Sequence, residues 1–339
     1  MPSHTTDTLS RPLKDLRISV TDRCNFRCPY CMPADAIAHE RFLPKDDILT
    51  FEEIVRTVRL FVELGVTKLR ITGGEPLLRR EIETLTERLS RIQGIKDRAL
   101  TTNGLLLGEK AHALKAAGLN RITVSLDALD DPTFHKMTGR NYPVARVLDG
   151  IQKAEDAGLH PVKINTVVQR DVNEHAILDL ARRFHGTGHI VRFIEYMDAG
   201  SRNRWQPHQV VPAEEILRSI HAEMPLQPTD PNYTGEVARR YSYCDGGGEI
   251  GIIASITHPF CGDCTRARLS TDGKIYTCLF SAHGADLKVP LRSGATDDDL
   301  RERIQAVWTR RSDRYSELRA QGAPQSMSAP RIEMYKIGG

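Results

Sequence analysis

The chain has no uncharged apolar run near the ~18 residues that a membrane span needs, so no membrane association is expected. Its first residues, MPSHTTDTLSRPLKDLR, hold no apolar core of a secretory signal, and the expected location is the cytoplasm. It has little excess of either charge. Lys and Arg number 47 against 44 Asp and Glu, a formal net charge of +3, and a dedicated nucleic-acid binder is usually more basic. Glycine (25) and proline (18) are too few for a fibrous or low-complexity protein. With 40% hydrophobic and 27% charged residues, the composition is that of an ordinary globular chain, not a disordered one. Its 339 residues fit two domains, or one α/β barrel with an appendage.

What is present and unusual is cysteine. Seven occur, at 24, 28, 31, 244, 261, 264 and 278. The number is odd and the positions are bunched. In a reducing compartment such groups serve as metal ligands more often than as disulfides.

Residues 1–14 are polar and are expected to form a flexible N-terminus. Strand patterns follow at 16–20, 67–72, 98–102, 121–126, 161–168 and 190–196. Helical patterns lie between them at 51–64, 80–92, 109–117, 144–157 and 174–185. Ile82, Leu85, Leu89 and Ile92 show the spacing of one buried helix face. Six β/α units in series imply a parallel sheet with right-handed crossovers. A closed barrel needs eight. The expected fold is therefore α/β, an incomplete TIM-like (β/α)6 barrel over residues 15–200. A smaller C-terminal region, 201–335, is expected to cover its open side, with a short tail at 336–339. In that region a β-rich stretch is expected near 249–256, a hairpin around Asp272-Gly273 and a helix near 297–311.

The period of two divides the strand faces. Lys68, Arg70 and Thr72 share one face of their strand, and Leu69 and Ile71 the other. Arg121, Thr123, Ser125 and Asp127 oppose Ile122, Val124 and Leu126, and Lys163 and Asn165 oppose Val162 and Ile164. The apolar faces should pack on helices, which leaves cations in the lumen. Unpaired cations there are costly, so the lumen is expected to take a large anionic ligand. Ligands of parallel sheets bind beyond the strand carboxyl ends. Cys24–Cys31, Gly73-Gly74-Glu75-Pro76, Thr102-Asn103-Gly104 and Ser125-Leu126-Asp127 all fall there. Taken singly, such turns and end-of-strand acids are usually structural. The parity of Arg192 is opposite to that of Met197, which leaves its side open.

Cys24, Cys28 and Cys31 form C-x3-C-x2-C. Three thiols in so short a span can surround one metal centre. A structural zinc takes four ligands, and the nearest histidine, His39, lies outside the motif. A four-iron cluster held by three cysteines leaves one iron open. This motif, with its aromatic Tyr30, resembles the signature of the radical S-adenosylmethionine enzymes. In that superfamily the open iron chelates S-adenosylmethionine, and its reductive cleavage yields a 5′-deoxyadenosyl radical. Gly73-Gly74-Glu75-Pro76 resembles the superfamily's cradle for the methionine amino group.

Cys261, Cys264 and Cys278 form a second triad. With Cys244 they read C-x16-C-x2-C-x13-C, a spacing that also suits structural zinc. Spacing does not decide between zinc and a second cluster. Arg266 and Arg268 follow Cys264 on one strand face, and arginine forks suit phosphate oxygens.

From about residue 11 onward the chain is similar to the GTP 3′,8-cyclase family of molybdenum cofactor biosynthesis. The motifs are RISVTDRCNFRCPYCMP, LRITGGEPLLR, TTNG, VSLD, VKINTV, RFIEYM, FC-x2-C-x-R-x-R and a terminal Gly338-Gly339. The resemblance implies two 4Fe–4S clusters, on Cys24, Cys28 and Cys31 and on Cys261, Cys264 and Cys278. It implies S-adenosylmethionine contacts at Tyr30, Gly74, Ser125 and Met197. It assigns GTP to Arg17, Arg70, Thr101, Lys163, Arg266 and Arg268, and a catalytic role to Gly338 and Gly339. Cys244 has no part in the pattern. The implied reaction is that of a lyase. The radical takes the ribose 3′ hydrogen, C3′ bonds to C8, and (8S)-3′,8-cyclo-7,8-dihydroguanosine 5′-triphosphate results. An external electron donor and a downstream cyclic pyranopterin monophosphate synthase are implied partners, for a monomer or homodimer. The competing readings are a peptide-modifying radical enzyme and a non-catalytic iron–sulfur or zinc protein that binds nucleotide.

Overall fold

The computed structural model describes residues 5–38, 40–322 and 331–338. Six strands appear where the alternation places them: β1 (Asp15–Ser19), β2 (Lys68–Thr72), β3 (Asp97–Thr102), β4 (Arg121–Ser125), β5 (Lys163–Val168) and β6 (Ile190–Glu195). They pair in chain order, all parallel. The connections hold α1 (Ala34–Ile37), α2 (Phe51–Glu63), α3 (Ile82–Ser90), α4 (Leu107–Ala116), α5 (Asp131–Thr138), α6 (Ala145–Asp156) and α7 (Ala176–Phe184). No helix is long and apolar enough to cross a membrane among the described residues.

Local chemistry sets the helix ends. α2 begins at a reciprocal capping box: Thr50 Oγ1 accepts the Glu53 N–H, and the Glu53 carboxylate accepts the Thr50 N–H. On α3, Ile82, Leu85 and Leu89 are buried, as their spacing requires. α5 has no counterpart in the sequence expectation. Its eight residues carry too few apolar side chains to show a period, and only its end signals reveal it. Asp130 accepts the Thr133 N–H at one end, and Gly139 closes the other.

The C-terminal part holds α8 (Ala213–Glu223), β7 (Leu226–Thr229), β8 (Arg239–Tyr243), β9 (Glu249–Ile253), β10 (Arg266–Leu269), β11 (Lys274–Tyr276) and β12 (Ala285–Asp286). Then come α9 (Lys288–Arg292), α10 (Asp297–Thr309), α11 (Tyr315–Ala320) and α12 (Met334–Ile337). This part does not stand apart from the barrel. β9 joins β6 and β10 joins β1, both parallel, so one 12-stranded sheet runs through both parts. β10 and β11 form the expected antiparallel hairpin.

Residues 5–14, expected to be flexible, are packed instead. Thr6 and Pro12 form an antiparallel bridge, and Leu13 is fully buried. The segment reads as polar because its charges, Asp7 and Arg11, pair with each other in the interior.

Glu195, at the end of β6, ties the two parts together and is completely buried. Its carboxylate accepts from Ala213 N–H (2.7 Å), Ile256 N–H (2.7 Å), Thr257 N–H (2.9 Å) and Thr257 Oγ1 (2.6 Å). Glu195→Ala leaves the buried Ala213 N–H and the partly buried donors of Ile256 and Thr257 unpaired, and is expected to cost about 2–3 kcal/mol, measured by denaturant unfolding.

Candidate active site

Strand parity holds throughout the barrel. The apolar alternates are buried, and the polar face surrounds an internal cavity of about 340 Å³. Register aligns the cations. Arg17 on β1 lies between Arg70 on β2 and Arg268 on β10. Arg70 donates to Thr101 Oγ1 (3.0 Å) and Thr123 Oγ1 (3.1 Å). On β5, Lys163 stands beside Thr123, and Asn165 beside both Ser125 and Arg192. Arg192 lines the cavity, and so does Met197. The parity argument that left Arg192 open does not extend to Met197, because β6 ends at Glu195 and the chain turns there. Lys163 is buried on the lumen face but is not part of the cavity wall.

The charge in this lumen is unbalanced. Arg121 is neutralised by a forked pair with Asp97. Arg17, Arg70, Lys163, Arg192 and Arg268 form no ion pair with a carboxylate among the described residues. Burial, and then the Arg268, Arg266 and Arg70 charges, hold the Arg17 guanidinium well below its ordinary value. Burial and the neighbouring Arg192 and Arg121 bring Lys163 down to about 7. Burial and Arg70 bring Arg192 down to about 10. These buried cations repel one another.

The first triad sits above the strand carboxyl ends, in the loop after β1. The Gly73-Gly74 turn after β2 lies directly beneath it. Gly74 N–H bonds to Thr21 O (2.7 Å), and Glu75 N–H to Arg23 O (2.8 Å). A Cβ on Gly74 would stand 2.3 Å from Arg23 O, so only glycine lets the loop close down. Glu75 is buried and accepts from Thr102 Oγ1 (2.7 Å) and Asn103 N–H (2.8 Å), which locks the third strand's loop beside the triad. Burial pushes its carboxyl up to about 7. Tyr30 donates to Asp127 Oδ2 (2.8 Å), and burial pushes Asp127 up to about 6. Ser125 and Met197 line the cavity nearby, and the buried Asn165 Oδ1 has no hydrogen-bond partner.

The second triad occupies the other end. Cys261 and Cys264 precede β10 and Cys278 follows β11, so the hairpin gathers them at the amino end of β10. Because β10 and β1 are parallel, the two triads face each other along the strands. A five-residue strand spans about 17 Å. Cys244 is exposed and does not line the cavity that the other six thiols share. This removes it as a fourth ligand.

The thiol spacing of both triads is wider than one zinc ion takes. Three thiolates around one zinc lie about 3.8 Å apart. Among the described residues, neither triad has all three sulfurs within 4.8 Å of one another. The electrostatics of the two ends differ. Burial, then Glu75, pushes Cys24 up to about 12. Burial also acts on Cys264, but Arg266 and Arg311 outweigh it and hold that thiol down to about 6. Arg266 donates to Cys264 Sγ (3.4 Å) and lies over Phe260.

The tail also reaches the site. Gly338 packs against Thr72, at the carboxyl end of β2, where a Cβ would stand 2.0 Å from Thr72 Cγ2. Gly339 lies outside the described residues. Besides Arg192, sequence reasoning gave no role to Tyr233, whose ring lies under the Lys68 ammonium at 2.9 Å. It comes from an irregular segment with no periodic signal.

Gly74→Ala is expected to displace the Cys24 loop. Iron bound by the first triad and cleavage of S-adenosylmethionine should fall together, the latter by about 100-fold. Iron analysis and 5′-deoxyadenosine release after anaerobic reconstitution check this.

Residues 18–184 match the family model "Radical SAM superfamily", and residues 189–317 match "Molybdenum Cofactor Synthesis C". A protein of Xanthomonas campestris pv. campestris (strain B100) named GTP 3′,8-cyclase is 52% identical over 333 residues, covering 98% of this chain and 97% of its own. Its namesake from Staphylococcus aureus (strain MRSA252) is 46% identical over 335 residues, covering 98% of each chain. Streptococcus suis SuiB bound to S-adenosylmethionine has a TM-score of 0.59 at 16% identity, over 88% of this chain and 68% of its own. That likeness concerns the fold alone. At such identity over almost the whole length, the chain belongs to the GTP 3′,8-cyclase family of radical S-adenosylmethionine proteins.

Proposed function

We propose that this chain is a cytoplasmic lyase that cyclises GTP to (8S)-3′,8-cyclo-7,8-dihydroguanosine 5′-triphosphate, with S-adenosylmethionine and two 4Fe–4S clusters. The observation that carries the reading is one cavity with a cysteine triad at each end and unpaired cations between them. When bound, the first cluster and S-adenosylmethionine would supply the radical chemistry for hydrogen abstraction at the ribose.

The protein's residues do the positioning. Cys24, Cys28 and Cys31 hold the first cluster, and Tyr30, Gly74, Ser125 and Met197 surround S-adenosylmethionine. Arg17, Arg70, Thr101, Lys163, Arg266 and Arg268 bind GTP. A triphosphate supplies the negative charge that the buried cations lack, and their mutual repulsion is relieved on binding. Cys261, Cys264 and Cys278 would hold the second cluster, which would bind the guanine base. Gly338 and Gly339 assist catalysis from the tail. An external donor supplies electrons, and the product passes to a cyclic pyranopterin monophosphate synthase. Thiols kept as ligands fit a reducing compartment. The division at about residue 200 into barrel and second-cluster region follows the same assignment.

Anaerobic incubation with GTP, S-adenosylmethionine and reductant, followed by product analysis, tests the reading. Replacing Cys261, Cys264 and Cys278 by alanine should lower the iron from about eight to about four per chain. It should abolish the cyclic product and spare S-adenosylmethionine cleavage. About four irons and one zinc in the wild type would refute the second cluster.

Removing Gly338 and Gly339 should leave both clusters in place and lower cyclisation by about 100-fold. Full activity after truncation would refute the tail's role.

Lys163 makes GTP binding depend on pH. In the free protein its ammonium is present below about 7 and is lost above it. The anionic ligand favours the charged form, so binding takes up a proton. Affinity should fall with rising pH by up to about tenfold per unit above pH 7. Calorimetry in buffers of different ionisation enthalpy should show this uptake, and Lys163→Arg should reduce it.

A further inference from the structure

We propose that Asp7, Arg11 and Arg311 are positioning residues for the second cysteine triad. The inference rests on the reading that this triad holds a four-iron cluster.

These side chains form one buried network, with Asp7 fully buried and both arginines 2% exposed. Asp7 Oδ2 accepts from Arg11 Nε (2.6 Å) and Arg311 Nη1 (3.3 Å). Its Oδ1 accepts from the N–H groups of Leu9 and Arg11, both at 2.9 Å. Each guanidinium also reaches a cysteine of the triad, Arg11 through a second nitrogen and Arg311 through the same Nη1. Arg11 Nη1 donates to Cys261 O (2.7 Å) and to Asp313 O (2.8 Å). Arg311 Nη1 donates to Cys264 O (2.6 Å), and its guanidinium lies 4.6 Å from the Trp308 ring centre.

The placement is selective. Each arginine binds the backbone carbonyl of a different cysteine of the Cys261–Cys264 turn, and one carboxylate orients both. The Arg11 contact with Cys261 joins residues 250 positions apart in the chain, and the Arg311 contact with Cys264 residues 47 apart. A buried charge network adds little stability over apolar packing of the same volume. What it supplies is direction, because a guanidinium fork accepts its partners in only a few orientations. Holding the two carbonyls holds the turn and therefore the spacing of its two thiols. Groups that orient metal ligands in this way commonly change metal retention by about 10–100-fold when altered.

The test uses the full chain, reconstituted anaerobically, and iron release to the ferrous chelator bathophenanthroline disulfonate. Wild type should carry about eight irons in two four-iron clusters. In Asp7→Asn, about four of them should leave at least about tenfold faster. S-adenosylmethionine cleavage, which reports the first cluster, should stay within about twofold of wild type. Equally fast release of all eight irons, with loss of S-adenosylmethionine cleavage, would mark a general structural defect and overturn the proposal. Should Asp7→Asn fail to fold, Arg311→Lys keeps the charge but not the fork, and the same selective release is expected. Eight irons in wild type with unchanged release in both variants would overturn the positioning role alone. Only about four irons in wild type would overturn the second-cluster reading, and this proposal with it.

Discussion

Positive charge held on the inner faces of the strands, in excess of the carboxylates beside it, is the constraint around which the barrel is arranged. Arg17, Arg70, Lys163, Arg192 and Arg268 share a lumen in which Asp97 is already committed to Arg121. Such a set is tolerable only on rigid strands that prevent the side chains from escaping to solvent, and only if an anion completes it. Parallel strands in register meet the first condition. They place Arg268, Arg17 and Arg70 side by side at one level, and Lys163 and Arg192 further round the sheet on β5 and β6.

The same register places the cysteines. Because β10 continues the sheet beside β1 in the parallel sense, its leading residues fall at the opposite end from the loop after β1. Two similar triads therefore cap the two ends of one cavity and do not crowd one mouth. Their surroundings differ in sign. The first lies beside Glu75 and Asp127, and the second beside Arg266 and Arg311. The tail closes the upper mouth. Glu40 pairs with both Lys336 and Arg202, and Tyr335 packs in a small core with Met32 and Ile37.

Much of this was legible because a strand's period is strict. Lys68, Arg70, Arg121, Thr123 and Asn165 were assigned to the lumen by counting alone. The count misled only past a strand end, where Met197 no longer shares the parity of β6. Helix α5 was hidden because its apolar residues are too few, although its capping residues were visible. The N-terminal segment was read as flexible because charge usually means exposure. No local pattern shows that Asp7 and Arg11 find partners in Arg311 and in the carbonyls of Cys261 and Asp313.

The sequence by itself determined the β/α alternation, the polarity of each strand face, both cysteine triads and the family. These depend on short-range periods and on residues close together in the chain. Tertiary structure alone decided that the triads face each other, that Cys244 stands apart, that Arg192 enters the lumen and that the N-terminus is buried. Those outcomes depend on which strands pair, and pairing between β1 and β10 spans some 250 residues. Contacts over such separations leave no periodic trace in the chain, because each partner's local pattern is satisfied by many different neighbours.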